Sequence, residues 1–155
     1  TNTPSILREM SKQVQALGVR PEIECFDTGH LQLAMWLKEN GWIDDPVMIQ
    51  LCMGIPWGSP DDLHTMMAMT ANVPDDWTFS AFSIGRNQLP YVAMAILAGG
   101  NVRVGLEDNL YLKKGVLATN EDLVKRAVQI AQGMGVKVLG PEAVRENMQL
   151  QKRWG

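Results

Sequence analysis

The charged residues best placed to do chemistry lie close together between positions 101 and 110. Side chains on a strand alternate between its two faces, so a strand predicted over residues 101–106 directs Arg103, Gly105 and Glu107 to one face. Asp108 follows where that strand ends, the end that carries ligand sites in parallel α/β folds. Burying such charges beside an apolar sheet costs several kcal/mol each unless they are paired or bind a metal. The pattern favours a functional site over an Arg103–Glu107 ion pair that only stabilises the fold.

A second group of acidic residues lies in a strand predicted over residues 21–27. Glu22 and Glu24 share one face of that strand, and Asp27 lies at its end. Two acids on one face of a central strand need cations nearby, and Arg103 is the obvious partner. We assign Glu24, deeper in the strand, to the site, and leave Glu22 either there or in solvent.

Two turn-rich loops offer a weaker signal. Residues 54–60 and residues 83–88 each lead into a predicted helix, whose N-terminal N–H groups can hold an anion. Arg86 lies near the second helix start. Neither loop is a P-loop, because the Gly-Lys-Ser/Thr ending is missing. From these residues alone, ordinary turns are the simpler interpretation.

Histidine and cysteine do not form a metal motif in this sequence. His30 and His64 lack the partner spacing of a zinc site, and so do Cys25 and Cys52. We interpret the cysteines as buried, reduced thiols of a cytosolic protein. The chain is therefore not expected to supply a complete zinc site by itself.

The elements that position these residues alternate along the chain. Strands are predicted over residues 21–27, 46–53, 77–84 and 101–106, and helices over residues 3–17, 31–40, 60–71, 87–98, 121–132 and 141–150. Ser59 is the expected N-cap of the third helix and Asn120 that of the fifth. Alternating strands and helices indicate βαβ units with a parallel sheet. Four such units suit either an open four-stranded α/β domain or half of a barrel, which typically needs ~250 residues.

Bulk composition excludes some classes of partner. The chain has 155 residues, a size typical of one domain. Its 14 Lys and Arg against 17 Asp and Glu leave no basic patch, so nucleic acid is not an expected partner. No apolar run approaches the ~20 residues that cross a bilayer.

Several segments resemble the β-keto acid cleavage enzymes, metal-dependent enzymes that exchange acyl groups between β-keto acids and coenzyme A thioesters. Residues 18–31 look like the fifth-strand motif of that family, and residues 102–111 look like its eighth-strand motif, which is long and specific. Residues 114–124 and 140–145 also match the family's pattern. The resemblance runs from about Gly18 to Leu150.

This resemblance implies the architecture of a (β/α)8 TIM barrel with bound Zn²⁺. Residues 1–155 would form its C-terminal half, supplying about strands 5–8 and their helices. The family takes two zinc ligands from a His-x-His pair in the first half of the barrel, and this sequence has no such pair. The N-terminal half is therefore expected to be absent from this chain. The resemblance further implies a homotetramer in the full-length form, whereas the cytoplasmic location is expected from the reduced thiols.

The resemblance also assigns roles to site residues. Glu107 matches the zinc-ligating carboxylate, Arg103 and Asp108 match substrate-handling and catalytic positions, and Glu24 matches an acid in the same network. The implied reaction converts a β-keto acid and acetyl-CoA into acetoacetate and a new CoA thioester. Zn²⁺ can polarise the keto carbonyl, and Arg103 can clamp a carboxylate. Asp108 can accept a proton, with burial and Glu107 raising its pKa and Arg103 and zinc lowering it.

Four matters stay open in the sequence. The coenzyme A is expected across the loops that carry Trp57 and Arg86, from their position alone. One alternative function is that of a metal-dependent barrel aldolase or lyase that does not use coenzyme A. Another is that of a non-catalytic half-barrel scaffold with two unpaired sheet edges. The identity of the β-keto acid, and the division of acid–base roles between Glu24 and Asp108, are not determined by these residues.

Overall fold

The computed structural model describes residues 2–150, which contain six strands and six α-helices. The strands are β1 (Glu22–Cys25), β2 (Met48–Met53), β3 (Thr78–Ser83), β4 (Asn101–Val102), β5 (Tyr111–Lys113) and β6 (Val116–Leu117). The helices are α1 (Pro4–Leu17), α2 (Thr28–Glu39), α3 (Leu63–Ala71), α4 (Gln88–Leu97), α5 (Asn120–Gly133) and α6 (Pro141–Asn147), with a 3-10 turn at Gly85–Asn87 before α4.

Strands β1 to β4 form one parallel sheet in sequence order, so the predicted α/β class with a parallel sheet is confirmed. This arrangement is consistent with part of a barrel. One face of the sheet packs against the helices and forms the hydrophobic core. Its fully buried members include Ile49 and Leu51 of β2, Ala81 of β3, Leu31 of α2, Met66 of α3 and Tyr91 of α4.

The opposite face of the sheet is polar at its centre. The register places Glu24 of β1 beside Gln50 of β2, and Gln50 beside Ser80 of β3. Alternation along each strand therefore separates an apolar side under the helices from a side that presents carboxylate, amide and hydroxyl groups.

Helices α2 and α3 begin elsewhere than the sequence pattern predicts. Asp27, placed at a strand end by that pattern, is the N-cap of α2, and its carboxylate accepts a hydrogen bond from the His30 N–H. Ser59 is not the N-cap of α3; that position belongs to Asp62. The Ser59 N–H donates instead to the Phe26 carbonyl at 2.7 Å, which holds Ser59 in the preceding loop.

The fifth helix is also capped one residue earlier than predicted. Thr119 is its N-cap and forms a capping box with Asp122. The side chain of Asn120 serves another contact, because its oxygen accepts a hydrogen bond from the Leu106 N–H at 2.9 Å.

Strand β4 is shorter than predicted. It pairs with β3 only through Asn101 and Val102, and the chain then leaves the sheet. The Gly105 carbonyl accepts from the N–H groups of both Asp108 and Asn109, which closes a turn where the pattern predicts strand. The following segment, predicted as a loop, contains the antiparallel hairpin of β5 and β6.

None of the helices described within residues 2–150 is long and apolar enough to span a membrane.

Gly100 is needed where the chain enters β4, because a Cβ there would overlap the Phe79 ring. We expect Gly100→Ala to lower the free energy of unfolding by about 1–3 kcal/mol, the usual cost of overpacking. Gly133→Ala is the control: its Cβ would meet open space near the end of α5, and Ala is favoured over Gly in a helix by about 1 kcal/mol. Urea unfolding followed by circular dichroism measures both, and a Gly100→Ala protein as stable as the unsubstituted one contradicts the prediction.

Candidate active site at the carboxyl ends of the strands

The guanidinium of Arg103 is the centre of the polar cluster above the sheet. Its Nη1 donates to Glu24 Oε1 at 2.6 Å and to Gln50 Oε1 at 2.7 Å. Its Nη2 donates to Glu107 Oε2 at 2.8 Å and to Asp108 Oδ1 at 3.2 Å. Its Nε donates to Asp108 Oδ2 at 3.1 Å. A guanidinium has five N–H groups, and these contacts occupy all of them.

Each strand of the parallel sheet, or the residue directly after it, contributes to this cluster. Glu24 lies on β1 and Gln50 on β2, and Arg103 directly follows β4. From β3, the ring of Phe82 lies under the guanidinium, 4.2 Å from ring centroid to Cζ, in cation–π geometry. Glu107 lies four residues after Arg103, so the turn beyond β4 returns its carboxylate to the same cation.

The structure therefore brings together Arg103, Glu107, Asp108 and Glu24, which the sequence pattern singled out. Glu22 is not among the acceptors of Arg103, and it is exposed.

Sequence reasoning missed Gln50 and Phe82. A glutamine inside the otherwise apolar run of β2 was a usable signal for Gln50, because an amide buried in a sheet needs a partner. A phenylalanine in a strand gave no comparable signal for Phe82.

The cluster is unbalanced in charge. Three carboxylates, Glu24, Glu107 and Asp108, surround one guanidinium, which leaves an excess of two negative charges if all three are ionised. Their exposure differs widely: the side chain of Asp108 is 4% exposed, that of Glu24 39% and that of Glu107 83%. The exposed side of the cluster, at Glu107, is thus the side open to a cation or a substrate.

The environment shifts the pKa values of the central pair. Burial raises the pKa of Asp108, and the charge and hydrogen bonds of Arg103 lower it; the net shift is upward, helped by the charges of Glu107 and Glu24. Burial works to lower the pKa of Arg103, but Asp108 and Glu24 outweigh it and raise that pKa, so Arg103 remains a cation. A carboxyl group whose pKa is raised is better matched to proton transfer near neutral pH.

The two thiols are free and buried, as the sequence predicts. Burial, followed by the charges of Glu24 and Asp108, raises the pKa of Cys52 to about 12. Burial and the charge of Asp27 raise the pKa of Cys25 to about 12. Both remain neutral thiols at neutral pH, and neither is suited to act as a nucleophile or a metal ligand.

The described residues do not fit a complete zinc site. Within residues 2–150, no group of three or more His, Cys, Asp or Glu side chains is arranged to hold a metal ion. The Nδ1 of His30 accepts a hydrogen bond from the Phe26 N–H at 3.2 Å, and His64 is exposed on α3. Glu107 offers an exposed carboxylate, one oxygen of which contacts Arg103.

A second polar cluster ties together the loops that follow β2 and β3. Asp61 accepts hydrogen bonds from Ser83 Oγ at 2.7 Å and from Asn87 Nδ2 at 2.6 Å. These two bonds are the main reason that the pKa of Asp61 is lowered, and the charge of Arg86 adds to the effect. Trp57, on the first loop, is fully exposed with a φ of 68°. The sequence analysis names Arg86 and Trp57 as candidates for coenzyme A binding, and it missed the hydrogen bonds that fix their loops.

Comparison with known proteins gives a consistent family. Residues 1–150 match the family described as beta-keto acid cleavage enzyme (BKACE). The chain is 68% identical over 153 residues to a 3-dehydrocarnitine:acetyl-CoA trimethylamine transferase of Rhizobium meliloti (strain 1021), covering 99% of this chain and 51% of that protein. It is 36% identical over 152 residues to a 3-keto-5-aminohexanoate cleavage enzyme of Acetoanaerobium sticklandii, covering 97% of this chain and 56% of that protein.

A 3-oxoadipate:acetyl-CoA acetyltransferase of Cupriavidus necator is 32% identical over 142 residues, which cover 86% of this chain and 49% of that protein. The chain thus spans about half the length of the curated relatives it matches.

The pKa of Asp108 is expected to lie above the ordinary value of an aspartic acid and to fall in Glu107→Gln, because the Glu107 charge helps to raise it. Carboxyl ¹³C NMR of the metal-free chain measures this pKa. Glu121→Gln, which removes an exposed acid from α5, is the matched control and leaves it unchanged.

The direction of the pKa shift also fixes its effect on stability. Because the folded-state pKa of Asp108 lies above the unfolded one, the group stabilises the fold at low pH. That contribution is lost as the pH rises through the folded-state pKa. An Asp108 pKa at or below the ordinary value, or one that rises in Glu107→Gln, contradicts the prediction.

Proposed function

The chain belongs to the beta-keto acid cleavage enzyme family, and on that premise we propose that the intact protein is an acetyl-CoA-dependent acyltransferase acting on a β-keto acid. The intact protein here means this chain with any sequence that precedes or follows it. The observation that carries the proposal is the Arg103 cluster, in which a cation, a buried acid and an exposed acid meet at the carboxyl ends of parallel strands.

The proposed architecture is the C-terminal half of a TIM barrel, with β1 to β4 as barrel strands 5–8. The chain aligns with about half the length of each relative, which supports half of a barrel. The sheet order also supports it, since β1 and β4 each pair on one side only and edge strands of that kind invite a further strand. The proposed domain covers residues 1–155, of which residue 1 and residues 151–155 lie outside the described part.

The proposed substrate is 3-dehydrocarnitine, a β-keto acid that bears a trimethylammonium group. The support is the 68% identity over nearly the whole chain to the transferase named for that substrate. The excess of negative charge around Arg103 is compatible with a ligand that carries a cationic group. The products would be acetoacetate and the CoA thioester of the acyl group that carried the nitrogen.

Arg103 is the proposed carboxylate-binding residue, and its saturated hydrogen bonding dictates how it can act. A substrate carboxylate must replace an existing acceptor, because all five N–H groups are occupied. Glu107 is the partner most easily replaced, since its side chain is 83% exposed and regains water when it leaves. The Nη2 edge of the guanidinium is therefore the proposed point of substrate entry.

Asp108 is the proposed general base. Its raised pKa and its position against Arg103 suit it to take a proton from the carbon between the keto and carboxylate groups. Glu24 is the proposed supporting acid, which holds the other edge of the guanidinium through Nη1. This division gives proton transfer to the buried acid and orientation to the more exposed one.

Zinc enters the proposal only through Glu107, the single donor proposed from this chain. The remaining donors would lie outside residues 2–150. A homotetramer is proposed for the intact protein on the family resemblance alone, and a cytoplasmic location is proposed from its two unpaired thiols.

Coenzyme A is proposed to lie across the loops that follow β2 and β3. Arg86 is exposed there and can meet a phosphate, and Trp57 presents a fully exposed ring. The Asp61 hydrogen bonds to Ser83 and Asn87 would hold the two loops at a fixed separation.

The first test is the reaction itself, followed with 3-dehydrocarnitine in the presence and absence of acetyl-CoA. Acetoacetate is expected only when acetyl-CoA is present, and Asp108→Asn is expected to lower kcat by about 10²–10⁴-fold, the usual contribution of a general base. Asp76→Asn, at an exposed position, is the control and keeps full activity. Substrate cleavage without acetyl-CoA would instead indicate an aldolase or lyase, and no turnover of any β-keto acid would favour a non-catalytic scaffold.

The coenzyme A site has a separate test. Arg86→Ala is expected to raise the KM for acetyl-CoA roughly tenfold with little change in kcat, because a charge-assisted hydrogen bond to phosphate is worth about 1.5 kcal/mol or more. Arg126→Ala, which removes an exposed cation from α5, is the control. An unchanged KM for acetyl-CoA in Arg86→Ala excludes this placement.

A further inference from the structure

The turn that carries Glu107 and Asp108 is fixed by groups outside it. We call residues 105–108 the acid turn. Among the described residues, three hydrogen bonds join its backbone to other elements: the Gly85 N–H to the Asp108 carbonyl at 2.6 Å, the Gln88 Nε2–H to the Gly105 carbonyl at 3.0 Å, and the Leu106 N–H to Asn120 Oδ1 at 2.9 Å. Two of these anchors come from the segment that begins α4, and one comes from the start of α5.

Gln88 is the anchor whose burial most needs an explanation. It is the first residue of α4, and it is 0% exposed. Burying an amide side chain costs free energy unless it is hydrogen-bonded. Its Oε1 has no partner within the described residues, so the bond from Nε2 to the Gly105 carbonyl is the side-chain contact that offsets this cost.

The Gly105 carbonyl is the point around which the acid turn is built. It accepts from the N–H of Asp108 at 3.2 Å and from the N–H of Asn109 at 3.1 Å, in addition to Gln88. A change in the direction of this carbonyl therefore moves the backbone of Asp108. The two bonds between Asp108 and Arg103, at 3.1 and 3.2 Å, are the longest that Arg103 makes. A small displacement of Asp108 therefore weakens or breaks them.

We propose that Gln88 is a positioning residue, whose buried amide holds the Gly105 carbonyl and thereby sets where the Asp108 carboxylate meets Arg103. Gln88 acts on the reaction only through the acid turn. Misplacement of a reacting group by about 1 Å can cost on the order of 10²-fold in rate. The kinetic consequence rests on the proposed function, whereas the structural consequence does not.

The decisive variant is Gln88→Met, which keeps the length of the side chain and removes the amide. In the intact protein we expect kcat to fall by roughly 10–100-fold with a small change in the KM for acetyl-CoA. The NMR signal of the Arg103 Nε–H is expected to move toward that of a free arginine as its bond to Asp108 loosens. Tyr91→Phe is the matched control, because it removes another buried and unpartnered polar atom one turn along α4; kcat and the Arg103 signal stay unchanged.

A folded Gln88→Met protein with unchanged kcat and an unchanged Arg103 Nε–H signal overturns the proposal. If Gln88→Met does not fold, the unsubstituted protein still decides: the side-chain amide protons of Gln88 must exchange far more slowly than those of Gln129, which is exposed on α5. Equal exchange rates overturn the proposal. Failure of the proposed function would give a different result, because the unsubstituted protein would be inactive on every β-keto acid. The amide exchange rates and the Arg103 Nε–H signal would still test the role of Gln88 in that case.

Discussion

The site depends on one constraint, which is that a guanidinium set among partly buried groups must have all its N–H groups bonded. An uncompensated charge in such surroundings costs several kcal/mol. Arg103 meets this requirement with acceptors from β1, β2 and the acid turn, and with the face of Phe82 from β3. Each of these groups comes from a different part of the chain, so the arginine is satisfied only when the parallel sheet is assembled in its observed order. The same interaction therefore links the fold to the candidate chemistry.

The acids around Arg103 differ in exposure, and they are therefore suited to different roles. Asp108 is almost completely buried and holds the cation through two bonds, which suits a group that must keep its position while a proton moves. Glu107 is mostly exposed and holds the same cation through one bond. A ligand that competes for Arg103 will displace Glu107 before Asp108, because the exposed acid regains its hydration on release and the buried one does not.

The sequence predicted the charged residues of the site and missed the uncharged ones. Arg103, Glu107, Asp108 and Glu24 are charged, so a strand context alone made them conspicuous. Gln50 and Gln88 are uncharged, and their roles are visible only through their distant partners, Arg103 and Gly105.

Strand alternation predicts that Arg103 and Glu107 meet because they share one face of a strand, and the structure does not support that reason. They meet because a turn closes on the Gly105 carbonyl. The alternation of side chains along a strand does not predict such a turn. The parallel sheet was predictable because alternating strands and helices leave few other arrangements.

The cluster is complete in its hydrogen bonds and incomplete in its charge. All five N–H groups of Arg103 have acceptors, yet three carboxylates face one cation. A further cation, whether a metal ion or a group on the substrate, would correct the charge without breaking the bonds to Asp108 if it approached from the exposed side of Glu107. Approach from the sheet side is blocked by the Phe82 ring and by Gln50, both buried. The exposed side at Glu107 is therefore also the side from which a cation can reach the excess negative charge. For this reason Arg103 and its acids form a candidate active site rather than an internal ion pair.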